Sequence, residues 1–129
     1  MKSAHELRTE MDGFFGTEEY HRFSILFPKT VLTDGAKWLA DNGECYWLMD
    51  IIGSIEEIIA NEPFTVVELT IQDKGQIHNP KALVKVDDGN GNVLYTQLIE
   101  HTDFPLNHVK LYANRGENGL RVVMLTSEY

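Results

Sequence analysis

The stretch CYWLMDIIGSIEEII, residues 45–59, decides the fold. Its apolar side chains recur at helical spacing, at Leu48, Ile51, Ile52, Ile55, Ile58 and Ile59. These positions form one stripe on a helix of 3.6 residues per turn, and Asp50, Ser54 and Glu57 fall on the opposite side. Pro63 ends the pattern, because a proline disfavours helical geometry in the residue before it. The stretch therefore predicts one central amphipathic helix that acts as the spine of the domain.

Burial must stabilise this helix, because isoleucine is a β-branched residue of modest helix propensity. A fully buried Ile or Leu side chain contributes roughly 1.5–3 kcal/mol, which outweighs propensity losses of about a few tenths. Trp47 widens the apolar face, and core packing is the favoured role for it, with partner binding as the alternative. In a core its indole N–H needs an acceptor.

Shorter elements precede the central helix. Ser3 and Glu6 have the spacing of a capping box, which predicts a helix over residues 4–11. The patch at 14–16 is expected to reach the core, and residues 17–20 to form a turn of helix. Residues 21–27 fit a strand or a helix equally well. Thr33 is a suitable N-cap for a helix over 34–41, so Asp34 is read as a cap-region residue rather than a catalytic one.

After Pro63 the hydrophobic period changes from 3.6 to 2, which indicates strands. The predicted strands cover residues 64–72, 81–86, 92–100, 108–113 and 120–126, with a turn at 73–75, a breaker at 79–80 and a loop at 114–119. The run DGNG at 88–91 predicts a hairpin, since Gly and Asn accept positive φ. We expect a single α+β domain over 1–129, in which the helices pack on a twisted antiparallel meander of four to five strands.

The charge balance limits the partners. The chain of 129 residues has 20 acidic and 11 basic side chains and a net charge of −9. Nucleic-acid backbones and anionic membranes attract basic surfaces, so neither is an expected partner. No segment has the length of a signal peptide's apolar region or of a membrane span. The sequence predicts a cytoplasmic protein, and its charge fits a partner with a basic surface.

Cys45 is the single cysteine, so an intramolecular disulfide is excluded. Its place at an apolar helix start predicts a buried thiol. The alternative is a reactive thiolate, because a helix N-terminus lowers the pKa of a thiol.

The best cluster of chemically active residues is His101, Asp103 and His108. Two imidazoles and a carboxylate match a facial metal triad, and His101 with Asp103 matches a base and its orienting group. The favoured reading is nevertheless a turn, in which Asp103 bonds nearby backbone before Pro105. His5, His21 and His78 are isolated. Phosphate-loop, zinc-protease and nucleophile-elbow motifs are absent, so neither a cofactor nor a metal is predicted.

Three groups of residues carry a family resemblance: TDG with WLA at 33–40, YWLMD at 46–50 and TDFPL at 102–106. With these motifs the chain resembles an uncharacterised bacterial family, a domain of unknown function found in cyanobacteria and often on plasmids or mobile elements. The resemblance covers residues 14–129 and implies a small accessory protein. It implies no activity and assigns no role to any residue.

Three functions follow as hypotheses. The first is a non-catalytic acidic module that acts through protein contacts, with a homodimer as one form of them. The second is a small-ligand or metal-dependent enzyme built on His101, Asp103 and His108. The third is an acidic decoy that mimics DNA, although its acids never run longer than two in a row.

Overall fold

A computed structural model describes residues 1–72, 80–116 and 118–129. The helices are α1 (Ala4–Met11), α2 (Asp34–Asn42), α3 (Tyr46–Ser54) and α4 (Glu56–Ile59), with a terminal 3₁₀ turn at Thr126–Glu128. The strands are β1 (Tyr20–Arg22), β2 (Thr30–Thr33), β3 (Val66–Ile71), β4 (Ala82–Asp87), β5 (Val93–Ile99), β6 (His108–Arg115) and β7 (Arg121–Leu125). The predicted turn at 73–75, His78 and Asn79 lie outside the described residues, as does Glu117 in the predicted loop.

The strands form one sheet of seven in the order β1-β2-β7-β6-β3-β4-β5. Helices and sheet together confirm the α+β class. The prediction of four to five antiparallel strands is wrong in number and in direction, because β2 pairs parallel to β7. Both added strands escape a search for alternation. β1 has 3 residues, and all 4 residues of β2 are buried.

The expected meander is also wrong in its path. β6 pairs with β3 rather than with β5, so the chain must return across the sheet between them. The connecting loop makes this crossing as part of the core, since Phe104 and Leu106 are buried. The amide of Ile71 donates to the carbonyl of Asn107, which fixes the arriving end of the loop beside β3.

The sheet has the single wet face that the alternation predicted. Val67 and Leu69 of β3 are buried in the core with Leu48 and Ile52 of α3. Glu68 lies on the opposite face, where its register partners in β4 and β6 are lysines, Lys85 and Lys110. The helices therefore cover one face of the sheet, and the opposite face is polar around Glu68.

The central helix is two helices rather than one. α3 ends at Ser54 and α4 begins at Glu56, with Ile55 between them at φ −98° and ψ 9°. The hydroxyl of Ser54 donates to the carbonyl of Ile51, a local bond that competes with the helical pattern. Adjacent Gly and Ser residues are a common cause of such breaks. Beyond the break, Ile58 of the predicted apolar stripe lies in α4 and is 56% exposed.

Gly53 serves packing at the same point. A Cβ atom on Gly53 would lie 2.6 Å from Cγ of Phe27, so only a glycine allows that ring to rest on the helix. The loop that contains Phe27 is otherwise open to water, with Ile25 96% exposed and Leu26 77% exposed. The undecided segment 21–27 is thus the end of strand β1 followed by a turn.

The cap predictions for the first two helices are confirmed. Ser3 and Glu6 form the capping box of α1, and the Thr33 hydroxyl accepts from the amide of Ala36 at the start of α2. The carboxylate of Glu128 adds a second acceptor there, for the Thr33 hydroxyl and the Gly35 amide. The end of the chain is therefore held against the beginning of α2.

Two predictions before α2 need correction. Residues 17–20 form no helical turn, because the Thr17 hydroxyl donates to the carbonyl of Glu19 and accepts from the amide of Asp34. The apolar patch at 14–16 is divided. Phe14 packs on Trp38 with ring centroids 5.7 Å apart, whereas Phe15 is 83% exposed.

Candidate functional site

A cavity of about 700 Å³ opens where the start of α3 meets the end of β5. Three segments line it: Glu44 and α3 on one side, β5 on another, and the loop after β5. The lining residues are Glu44, Trp47, Asp50, Ile51, Gln97, Ile99, His101, Thr102 and Asp103. The cavity therefore joins the helix that organises the fold to the loop in which the sequence placed its best chemical cluster.

Helical and strand periods explain why these side chains converge. Trp47, Asp50 and Ile51 are related by steps of three and four residues and so share one side of α3. Gln97 and Ile99 are two residues apart and so share one face of β5. Asp50, which the sequence placed on the polar side of the helix, borders this cavity.

Carboxylates dominate the charge of the lining. Glu44 is paired with the terminal ammonium of Met1, whose nitrogen is 3.0 Å from Oε2. Asp50 and Asp103 make no hydrogen bond or ion pair within residues 1–72, 80–116 and 118–129. Two acids from different elements thus give the cavity an unbalanced negative charge.

Trp47 packs against the core, as the favoured prediction has it, and also borders the cavity. The side chain is partly buried. Its indole N–H has no acceptor among the described residues. Trp47 therefore offers the cavity an aromatic surface.

The three predicted site residues do not all line this cavity. His101 and Asp103 do, whereas His108 lies on β6 in a separate groove with Arg8 and Met11. The His108 ring bonds Glu68, with Nε2 and Oε2 3.1 Å apart, and this bond is the main reason that the pKa of Glu68 is lowered.

The turn expected around Asp103 is present, but Thr102 supplies the side chain that bonds its backbone. The hydroxyl of Thr102, rather than the Asp103 carboxylate, bonds the nearby backbone by accepting from the amide of Phe104 at 3.1 Å. The Asp103 side chain is exposed and borders the cavity instead.

A second cluster, which the sequence did not reveal, lies at the start of α2. Glu19, His21 and Asp34 bring one potential ligand atom each within 4.8 Å of one another. His21, predicted to be isolated, has its Nε2 2.8 Å from Oδ1 of Asp34, and the amide of Glu18 donates to Oδ2. No motif joins residues 13 positions apart across a strand and a loop, so no sequence signal pointed to this contact.

This cluster has the composition of a cation site, but its bonds explain it as structure. Both oxygens of Asp34 already accept from protein donors. Asp34 is also the first residue of α2, where the helix dipole is positive and disfavours a bound cation. We therefore infer a structural role, in which these bonds hold residues 17–21 against the start of α2.

Asp34 makes the stability of the fold depend on pH. Hydrogen bonds from the Glu18 amide and from His21 lower the pKa of this carboxyl below its usual value. A depressed folded-state pKa contributes stability above the unfolded-state value, and this contribution is lost as the pH falls through the folded-state pKa. Asp34→Asn should therefore destabilise the protein near neutral pH, and the difference from the wild type should shrink below about pH 4.

Urea unfolding at several pH values between acid and neutral measures this difference. Glu57→Gln is the matched control, because Glu57 is exposed and makes no hydrogen bond among the described residues. A loss for Asp34→Asn that stays constant over the whole range would contradict the assignment.

The thiol of Cys45 is inert, as the favoured prediction held. It is completely buried, and burial raises its pKa to about 12. The alternative of a reactive thiolate is contradicted, because burial raises the pKa of this thiol and its Sγ donates to the carbonyl of Leu39 at 3.6 Å.

Comparisons with known proteins yield one match. The sequence model of DUF6876, described as a family of unknown function, matches residues 5–129. No curated protein and no solved structure matches. In the described part of the chain, every helix is too short or too polar to cross a bilayer.

Proposed function

Because the chain belongs to DUF6876, a family whose function is unknown, we propose from its own surface that it is a binding module for a protein partner with a basic surface. The observation that carries the proposal is the cavity between α3 and β5, where two carboxylates without a partner among the described residues lie beside the partly buried Trp47. Bacterial origin, a link to mobile elements and a cytoplasmic location remain predictions.

The size and chemistry of the cavity support binding. Ligand sites are concave, mostly apolar and supplied with a few polar groups, and about 300–1,000 Å³ is their usual volume. Trp47, Ile51 and Ile99 supply the apolar wall, and Asp50 and Asp103 supply the polar groups. Tryptophan is also among the residues most enriched where binding energy concentrates in protein interfaces.

The charge of the whole chain supports a basic partner. A net charge of −9 attracts a basic surface over a distance and raises the rate of encounter. The same charge opposes close approach of two copies, so a homodimer would need contacts that outweigh this repulsion. Sedimentation velocity at low and high salt decides between a monomer and the predicted homodimer.

Catalysis by a hydroxyl or thiol nucleophile is the weaker hypothesis for this cavity. Such a nucleophile is activated by a base beside it. Thr102 is buried and its oxygen is occupied by the Phe104 amide, and the thiol of Cys45 has a pKa of about 12. The lining is better suited to hold a cation than to attack a bond.

Calorimetric titration with short basic peptides tests the proposal. Binding should weaken as salt rises, because screening reduces the attraction between opposite charges. The double variant Asp50→Asn with Asp103→Asn should lose about tenfold in affinity. Glu57→Gln removes an acid outside the cavity and should change affinity by less than about twofold. An absence of binding, or equal losses in the double variant and the control, would refute the proposal.

One observation favours a second candidate, a metal- or small-ligand-dependent enzyme. His101 and Asp103 share the cavity, and an imidazole with a carboxylate is a common start of a metal site. Titration with Zn²⁺ separates the candidates. Tight binding that His101→Ala abolishes would support the enzyme, whereas weak binding that this variant leaves unchanged would favour the binding module. His108→Ala tells whether the third predicted residue takes part.

A further inference from the structure

We propose that the cavity receives an arginine side chain of the partner, with its guanidinium stacked on Trp47 and its charge met by Asp50 and Asp103. This inference rests on the proposed function and names the chemical group that the module recognises. It depends on three properties of the lining: an aromatic face, unpaired carboxylates and aliphatic walls.

The aromatic face favours a planar cation. A guanidinium is flat, weakly hydrated and stacks on indole rings, whereas an ammonium is a strongly hydrated point charge. Attraction between a cation and an aromatic face is greatest for tryptophan. Trp47 is held by the core on one side, so it presents a fixed surface that loses little entropy when a ligand binds.

The carboxylates favour the same group. Asp50 lies on α3 and Asp103 on the loop after β5, so the two acids come from different elements around the cavity. Arginine donates five N–H groups in a fixed fork that fits carboxylates bidentately. Glu44 is already neutralised by the Met1 ammonium, which leaves the two aspartates to balance the incoming charge.

The remaining walls fit the stem of the side chain. Ile51 and Ile99 offer apolar surface, along which the methylene groups of an arginine can be buried while its charged end meets the acids. A bare metal ion would gain nothing from such walls, because hard cations bind through oxygen ligands. The cavity of about 700 Å³ is larger than one side chain, so residues that flank the arginine can enter with it.

The two tryptophans of the chain make a sharp test possible. Trp47 lines the cavity, and Trp38 packs on Phe14 elsewhere, so the two indole N–H signals in a ¹⁵N NMR spectrum serve as probe and internal control. Trp38→Phe and Trp47→Phe assign the signals. Two glycine-spaced peptides of equal length and charge, one with arginines and one with lysines, are then titrated into the full-length protein.

The arginine peptide should shift the Trp47 signal to saturation and leave the Trp38 signal in place. The lysine peptide should bind about tenfold more weakly. Asp50→Asn should weaken the arginine peptide by about threefold, less than the double variant does, and Glu57→Gln should leave it unchanged. Free arginine, added alone, should shift the same signal at higher concentration, because it lacks the flanking contacts.

Three other results of this titration would contradict the arginine inference, the basic-partner proposal or both. Equal affinity for both peptides, with the Trp47 signal shifted, overturns the arginine inference and leaves the basic-partner proposal intact. Binding that shifts neither indole signal places the contact outside the cavity and overturns both statements. No binding of either peptide also overturns both. Since the variants are compared on signals of the folded protein, a loss of folding is seen directly in the spectrum.

Discussion

Replacing Arg121 with methionine is expected to lower the free energy of unfolding by about 3–5 kcal/mol, the usual cost when one partner of a buried ion pair is removed. Arg121 is completely buried at the start of β7. Its Nε lies 3.0 Å from Oε2 of Glu56, and its other nitrogens donate to the carbonyls of Ile59, Glu62 and Ala113 at 2.8–3.0 Å.

The expected loss comes chiefly from the acceptors. Methionine fills much of the space of the arginine stem, so the cavity left behind is small. Three carbonyls lose a charged donor, although the Ala113 carbonyl keeps the Thr65 hydroxyl and the Ile59 carbonyl keeps the Glu62 amide. Glu56 keeps its other cation, because Nη2 of Arg115 lies 2.6 Å from Oε1.

Arg115→Met is the matched control. Arg115 bonds the same carboxylate, but its side chain is 31% exposed, so water can replace much of what is lost. We expect a cost of about 1 kcal/mol. Urea unfolding followed by tryptophan fluorescence measures both variants. Similar losses for the two arginines would show that burial does not set the contribution of Arg121.

Arg121 also shows where reasoning from sequence ends. It lies within the predicted strand 120–126, and its type indicates a solvent-facing position. Its partner Glu56 is 65 residues away, and nothing local in either segment signals that contact. Capping boxes, turns and alternating strands were predictable because their causes lie within a few residues. The pairing of β6 with β3 and of β2 with β7 depends on the whole chain.

The same division holds for the candidate site: its residues could be picked out locally, and the contact that forms it could not. His101, Asp103 and Trp47 line the cavity. The sequence drew attention to the first two by their chemically distinctive side chains and to Trp47 by its size, and a functional role for them stays a prediction. The cavity forms only because α3 and the end of β5 lie next to each other. The hydrophobic periodicity of the sequence does not predict that contact. His108 was grouped with His101 by closeness in sequence, yet the crossing loop carries it to β6 beside Glu68.

Ile52→Ala and Ile58→Ala are expected to differ by several kcal/mol, although both residues belong to the same predicted apolar stripe. Ile52 is completely buried in α3, and replacing a buried isoleucine with alanine costs about 2–5 kcal/mol. Ile58 is 56% exposed in α4, so its replacement should change stability by less than about 0.5 kcal/mol.

The pair tests the break at Ile55. A continuous helix over 45–59 would carry both isoleucines on its buried face, and both substitutions would then be costly. A broken helix buries the first and exposes the second. Alanine is also the better helix former, so Ile58→Ala gains slightly in propensity and can leave stability unchanged or a little higher.

Urea unfolding of both variants gives the answer, with circular dichroism at low urea to confirm that each variant retains its helices. An unfolding slope equal to that of the wild type shows that the substitution changed stability rather than the extent of unfolding. A loss above about 2 kcal/mol for Ile58→Ala would mean that this side chain is buried in solution. Either α4 would then continue the line of α3, or a second protein surface would cover Ile58. Sedimentation velocity separates these two causes, because only the second depends on protein concentration.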